Sequence, residues 1–281
     1  MVSSVAETPF FADLRPTVNI AHRGGAALYP ENTLQAFDAA LNQNGAHMIE
    51  TDVHLTGDGE VVVFHDRTLA RTTNGNGRLE QMSWAKLSQL DAGYQFTPDD
   101  GQRYPFRGQG YGISRLSDVL DAFPCARFNI DLKLETPRLV EAVAHIVVDQ
   151  RAQHRVCLGS EFDSVAALLA TALPEVVLFF PKIALMECMM AIMNGDAAPL
   201  HADYQVLEIP LSYAGVELVT DELLERTLRA GYWVNVWTIN DQETMAKLIQ
   251  MGVGGIMTDH PDRLDTLLRG GGQSTQSLPK Q

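Results

Sequence analysis

Short apolar runs recur along the chain, separated by amphipathic segments, and this alternation restricts the possible folds more than any other feature. Runs with strand character are Val18–Ala21, Met48–Val53, Val61–Phe64, Phe128–Leu134, Val156–Gly159, Val176–Phe180, Gln205–Ile209, Trp233–Trp237 and Gly255–Thr258. Strands that alternate with helices build a parallel sheet covered on both faces. Across 281 residues the pattern predicts an α/β fold, either a TIM (β/α)8 barrel, which takes about 250 residues as one unit, or an open α/β sheet. The helix signals agree. Thr33 to Gln43 places Leu34, Phe37 and Leu41 on one face before Gly45, and Thr136-Pro137 supplies a cap and a first-turn proline. Asn240 with Glu243 has the spacing of a capping box, with Gly252 ending that helix. Nine strand candidates compete for eight places, so at least one is not a barrel strand. The connection Thr56-Gly57-Asp58-Gly59 is too short for a helical crossover, which marks the segment around it as a departure from a plain barrel.

The sequence divides into an N-terminal arm (1–17), the barrel (18–269) and a glycine-rich flexible tail (270–281). One long stretch, about 68–117, breaks the rhythm with turn signals at Asn74-Gly75-Asn76-Gly77 and Pro98-Asp99-Asp100-Gly101. It predicts a small insertion subdomain after the third strand, directly behind His65, where a barrel's active face would lie. A net charge of −14 excludes a nucleic-acid partner, which needs a basic face, and disfavours an anionic membrane surface. An anionic small-molecule substrate would then require a local positive pocket. Three cysteines without CxxC spacing read as reduced core residues. The opening residues carry no basic start and no apolar run, and Pro181, Lys182 and Glu187 interrupt the most apolar stretch. Neither a secretory leader nor a membrane span is expected, and the location expected is cytoplasmic.

Side chains alternate across a strand, so Glu50 and Asp52 share a face with Met48. In a parallel strand both faces are normally buried. Two adjacent carboxylates there either sit at a solvated strand end or require a cation to offset their desolvation. Asn129, Asp131, Lys133 and Glu135 share one face of the strand Phe128–Leu134. They form either an ordinary ion pair or, with Glu50 and Asp52, a hard oxygen site suited to Mg²⁺ or Ca²⁺. His22 and His65 both stand at strand ends, where imidazole can do acid–base work. Arg23 offers a fork for phosphate, and Gly24-Gly25 permits close backbone approach. The remaining histidines (His47, His54, His145, His154, His201 and His260) read as structural. The Met-rich stretch Ile183–Met193 reads as a helix packed on the barrel, with a lipid-tail groove as the alternative.

Taken in order, His22-Arg23-Gly24, Pro30-Glu31-Asn32-Thr33, Gly45-Ala46, Ile49-Glu50, Asp52-Val53, Thr56-Gly57-Asp58-Gly59, His65-Asp66 and Arg71-Thr72-Thr73 resemble the glycerophosphodiester phosphodiesterase family. Trp237-Thr238-Ile239-Asn240 and Gly254 to Pro261 are similar to its closing signature, so the resemblance spans about Asn19 to Leu264. The resemblance implies a TIM barrel, one divalent cation and hydrolysis of a glycerophosphodiester to sn-glycerol 3-phosphate and an alcohol. It implies His22 and His65 as the acid–base pair, and Glu50 and Asp52 as metal ligands. Asp131 stands where the family carries a longer glutamate, two residues before Lys133. Arg23 and Lys133 match phosphate-binding positions, Trp237 matches the ring against the glycerol, and Glu31 is expected to buttress Arg23 or cap the helix. Lysophospholipase D activity on the same scaffold is the alternative.

Overall fold

The computed structural model describes residues 8–195 and 203–271. Most of the tail assigned to 270–281, the first seven residues of the arm, and His201 lie outside the described residues. In chain order the first half runs β1 (Val18–His22), α1 (Leu34–Asn42), β2 (Met48–Leu55), β3 (Val61–Val63), α2 (Trp84–Leu87), β4 (Ser114–Arg115), α3 (Leu116–Ala122) and β5 (Arg127–Leu132). There follow α4 (Pro137–Asp149), β6 (Val156–Gly159), α5 (Asp163–Ala172), β7 (Val177–Leu178), α6 (Lys182–Asn194) and β8 (Val206–Ile209). A small hairpin, β9 (Ser212–Tyr213) and β10 (Val216–Glu217), precedes α7 (Asp221–Arg229), β11 (Trp233–Val236), α8 (Gln242–Met251), β12 (Gly255–Thr258) and α9 (Pro261–Gly271).

Eight parallel strands run in the order β7-β6-β5-β2-β1-β12-β11-β8. The ring closes through a parallel bridge between Phe179 and Val206, where the Gln205 N–H donates to the Leu178 carbonyl at 2.9 Å. The ninth candidate, Val61–Val63, is antiparallel to β2 and also pairs with β4, outside the ring. Its short connection leaves the chain only enough length to turn back. The insertion begins after this strand and has its own core of Val62, Phe64, Leu69, Leu79, Leu87, Ala92 and Ile113.

Alternation along each strand separates two interiors. Ile49, Val53, Phe128, Ile130, Leu132 and Leu158 face the helices, packing with Phe37, Val140 and Leu169. Ile20, Met48, Cys157, Val177, Phe179, Val206 and Met257 fill the lower barrel. Gly159 belongs to this inner face: a Cβ there would lie 2.5 Å from the Phe179 ring. The arm closes the N-terminal end, with Phe10 and Phe11 buried and Phe11 packed on Trp233 at 4.5 Å between centroids. Arg127 Nε fixes the arm by donating to the Phe10 carbonyl at 2.7 Å.

Helix ends follow local chemistry, with two corrections. The first is that Thr136 stands at the N-cap of α4 but its side chain makes no cap hydrogen bond. Thr33 caps α1 by accepting from the Ala36 N–H (3.2 Å), and Gly252 ends α8 at φ 74°. The cap of α8 is Asp241, which accepts from the Thr244 N–H at 2.8 Å, and not Asn240. Asn240 is engaged by Asp259 and Thr258, so its side chain is not free to cap. Helix α6 packs through Ala184, Cys188, Met189 and Ile192 and exposes Ile183, Met186, Met190 and Met193. Among the described residues no helix is long and apolar enough to cross a membrane.

Candidate active site

Above the apolar floor the inward positions turn polar. Register pairs His22 with Glu50 and Glu50 with Asn129 in one row, and Asp52 with Asp131 in the next. The β2 carboxylates are buried, Asp52 at 1% exposure and Glu50 at 8%, which overturns the solvated-end alternative. Lys133 Nζ bridges Asp131 Oδ2 at 2.5 Å and Asp52 Oδ1 at 2.9 Å. The ion-pair reading of Lys133 and the carboxylate-cluster reading therefore both hold. Glu135 lies apart, accepting from Ser164 Oγ.

The motif after β1 builds the adjoining wall. Arg23 takes a positive φ of 51°, which turns its N–H onto Glu50 Oε2 at 3.0 Å. Its guanidinium lies 3.6 Å from Asp52 Oδ2 and donates to Glu31 Oε1 at 3.2 Å. Glu31 thus buttresses Arg23, and the capping role falls to Thr33. Asn32 orients Asp52 by donating to its Oδ2 at 3.0 Å, while its own Oδ1 accepts from Thr51 Oγ1 at 2.7 Å.

Each histidine is held by an aspartate. His22 Nδ1 meets Asp259 Oδ1 at 2.6 Å, and its Nε2 faces Glu50 Oε2 at 3.9 Å. His65 Nδ1 meets Asp66 Oδ1 at 2.6 Å. His54 is buried on β2, where its Nε2 bonds the His65 carbonyl at 2.9 Å and fixes the backbone of the rim. Trp237 follows β11 at the C-terminal mouth with 43% exposure.

The electrostatics show a shortage of positive charge. Burial, with Asp52 alongside, pushes Glu50 up to about 7 against the pull of His22, Lys133 and Arg23. Burial also raises Asp131, which Lys133 only partly offsets. Burial opposes ionisation of Asp52 too, yet Lys133, His65 and Arg23 together hold it below the usual carboxylate range. Burial works against a charge on His22, but the Asp259 hydrogen bond and Glu50 win and its pKa is raised. Across the barrel Glu208 hydrogen-bonds the Asn129 and Asn235 amides, and burial takes it up to about 8 with Glu50 and Asp131 adding to the rise.

Glu208, Asp66, Asp259 and Asn32 carry no role from sequence, and Asn240 carries only the capping role that the structure gives to Asp241. The structure adds all five to the site. Four of them lie inside the quoted motifs, and Glu208 carries its own signal as a charge in the apolar run Val206-Leu207-Glu208-Ile209.

The donor set fits a hard divalent cation. It is all oxygen, Asp131 Oδ1 is buried without a partner, and the raised Glu50 and Glu208 mark charge that Lys133 and Arg23 do not offset. Among the described residues no three His, Cys, Asp or Glu side chains form a finished coordination shell. Lys133 spans Asp52 and Asp131 instead.

Imidazoles and carboxylates at the C-terminal mouth of a TIM barrel, with arginine and lysine set among them, define an enzyme class that handles anionic substrates. The glycerophosphoryl diester phosphodiesterase family model matches residues 22–263. The glycerophosphodiester phosphodiesterase of Caldanaerobacter subterraneus subsp. tengcongensis is 30% identical over 91% of this chain and 99% of its own. Human lysophospholipase D GDPD1 is 24% identical over 89% of this chain and 85% of its own. An Oleispira antarctica phosphodiesterase, solved with the product sn-glycerol-3-phosphate, is 28% identical with a TM-score of 0.72, covering 91% of this chain and 97% of that one. The chain belongs to the glycerophosphoryl diester phosphodiesterase family. Its reaction is glycerophosphodiester hydrolysis, in a family that depends on a divalent metal.

Proposed function

We propose that His22 and His65 are the acid–base pair of this hydrolysis, that Glu50, Asp52 and Asp131 hold one cation, Mg²⁺ or Ca²⁺, and that Arg23, Lys133 and Trp237 contact the substrate. The substrates are diesters such as glycerophosphocholine or glycerophosphoethanolamine, and the products are sn-glycerol 3-phosphate and an alcohol. The observation that carries the reading is the single connected cluster of His22, Glu50, Asp52, Asp131 and Lys133 on adjoining strand ends. A reducing, cytoplasmic setting belongs to the same reading and is supported by three unpaired cysteines.

Arg23 and Lys133 neutralise the phosphodiester and orient it at the mouth. One imidazole accepts the proton of the attacking hydroxyl, from water or from the substrate's own 2-hydroxyl. The other gives a proton to the departing alkoxide as the P–O bond breaks. Arg23 restrains Glu50 through its N–H, and Asn32 restrains Asp52, so neither carboxylate wanders when substrate enters. The cation, when bound, supplies Lewis-acid stabilisation of the growing phosphoryl charge. His22→Ala and His65→Ala should each cut kcat by about 10²–10⁴-fold with unchanged circular dichroism and Tm. Near-normal turnover in either variant would sink the assignment. A substrate panel run with Mg²⁺, Ca²⁺ and chelator fixes the ion and the head group together.

A second reading, lysophospholipase D activity, is favoured by exposed Leu211, Tyr213 and Val216 on the β9–β10 hairpin at the same end as Trp237. Turnover of lysophosphatidylcholine against glycerophosphocholine separates the two.

A further inference from the structure

We infer that Asp259 and Asp66 are positioning residues that lock His22 and His65 in the tautomer with the proton on Nδ1, and that Asn240 and Arg71 fix the polarity of those locks. The inference rests on the acid–base reading above.

A carboxylate offers only acceptors. With Asp259 Oδ1 2.6 Å from His22 Nδ1, that nitrogen must carry the proton, and Nε2 is left to take or give one on the side facing Glu50. Asp259 cannot turn away, because its Oδ2 accepts from Asn240 Nδ2 at 2.8 Å. The amide of Asn240 is itself fixed. Its Oδ1 accepts from the Asp259 N–H at 2.9 Å and from Thr258 Oγ1 at 3.2 Å, so its nitrogen can only point at Asp259. Donor and acceptor roles are therefore determined along the whole line from Thr258 to His22.

The second lock uses a cation. Arg71 donates to Asp66 Oδ2 through Nε (2.6 Å) and to Oδ1 through Nη2 (3.0 Å). A guanidinium has no acceptor, so both Asp66 oxygens must accept, and His65 Nδ1 must donate. Arg71 also grips Glu31 at 2.7 and 2.6 Å, and Glu31 holds Arg23. The start of the insertion is thereby tied to the loop that carries the phosphate fork. Among the described residues Asp259 has no lysine or arginine partner, so the two locks differ in charge while agreeing in polarity.

The polarity can be inverted by a single atom. In Asp259→Asn the new amide oxygen must face Asn240 Nδ2, which puts the new NH₂ against His22 Nδ1 and moves the imidazole proton to Nε2. Asn240→Asp added to Asp259→Asn reverses this: an acceptor at 240 draws the NH₂ back and returns an oxygen to His22.

The test is imidazole ¹⁵N NMR of the full chain labelled at histidine, above the histidine titrations, with steady-state kinetics on glycerophosphocholine. Expected are Nδ1–H for both histidines in the parent and Nε2–H for His22 alone in Asp259→Asn. In that variant kcat should fall by about 10³-fold or more with KM nearly unchanged. The double variant should regain Nδ1–H and much of the lost kcat, a recovery that a merely structural role would not give. Nε2–H on His22 in the parent, or an unaltered His22 tautomer in folded Asp259→Asn, overturns the inference. An inverted tautomer with full turnover supports the lock and overturns the assignment of His22 to the chemistry.

Discussion

At Lys133 one ammonium answers two carboxylates, and one of them, Asp52, is 99% removed from solvent by its 1% exposure. Removing one partner of a buried pair costs about 3–5 kcal/mol when the remaining charge is left without compensation. With Arg23 and Asn32 still on Asp52 the lower end applies. Lys133→Met should therefore lower unfolding free energy by that order in urea titrations and also abolish turnover. Asp131 stands one methylene short of the glutamate expected at its position. Asp131→Asn removes a charge from the wall while leaving the Lys133–Asp52 pair, so cation affinity measured calorimetrically should fall at least about tenfold. Equal affinity in parent and variant would remove Asp131 from the ligand set.

Elements divide the labour by end of barrel. The lower end is sealed by the arm, where Phe11 is 4% exposed and stacked on Trp233, and the chemistry sits at the upper end. Phe11→Ala should cost about 3 kcal/mol, seen as a drop of roughly 6–12 °C in Tm, with turnover at 25 °C unaltered. Gly159→Ala tests the inner face of β6, because the added methyl would meet the Phe179 ring at 2.5 Å. Overpacking of this kind costs about 1–3 kcal/mol, and a variant as stable as the parent would show that Phe179 can move aside.

The molecule as a whole carries a net charge of −14, yet binds an anionic diester. In the proposed reading local fields resolve this, because Arg23 and Lys133 stand at strand ends beside the buried carboxylates. The same pocket links stability to pH. Glu50 at about 7 and Glu208 at about 8 are both raised from an unfolded value near 4.5. A raised carboxyl contributes stability that is complete below the unfolded value and is lost as pH rises through the folded one. In chelator, Tm should decline from pH 5 to pH 9, most steeply between about pH 5 and 7, where the unfolded carboxyls are ionised and the folded ones still hold their protons. Added Ca²⁺ or Mg²⁺ should recover Tm most at the alkaline end, where the carboxylates are free to bind it. A Tm that rises with pH in chelator would contradict the shortage of positive charge.

Sequence alone determined the α/β class through the alternation of strands and helices, and the family resemblance narrowed it to the barrel. The two-residue repeat put Glu50 with Asp52, and Asp131 with Lys133, on shared strand faces, with His22 and His65 at strand ends. It also carried the misfit of nine strands, since a four-residue turn cannot cross over. Only the tertiary structure decided which partner each group meets. The strand turned out of the ring was identified by its antiparallel pairing with β2. Asn240 proved to serve Asp259 instead of its own helix, and Glu208 reached Asn129 across 79 positions of chain. Such contacts depend on closure of the ring, which no local pattern encodes. The two histidines named from their strand ends were thus legible from sequence, while the aspartates that give each of them a direction were fixed by the fold.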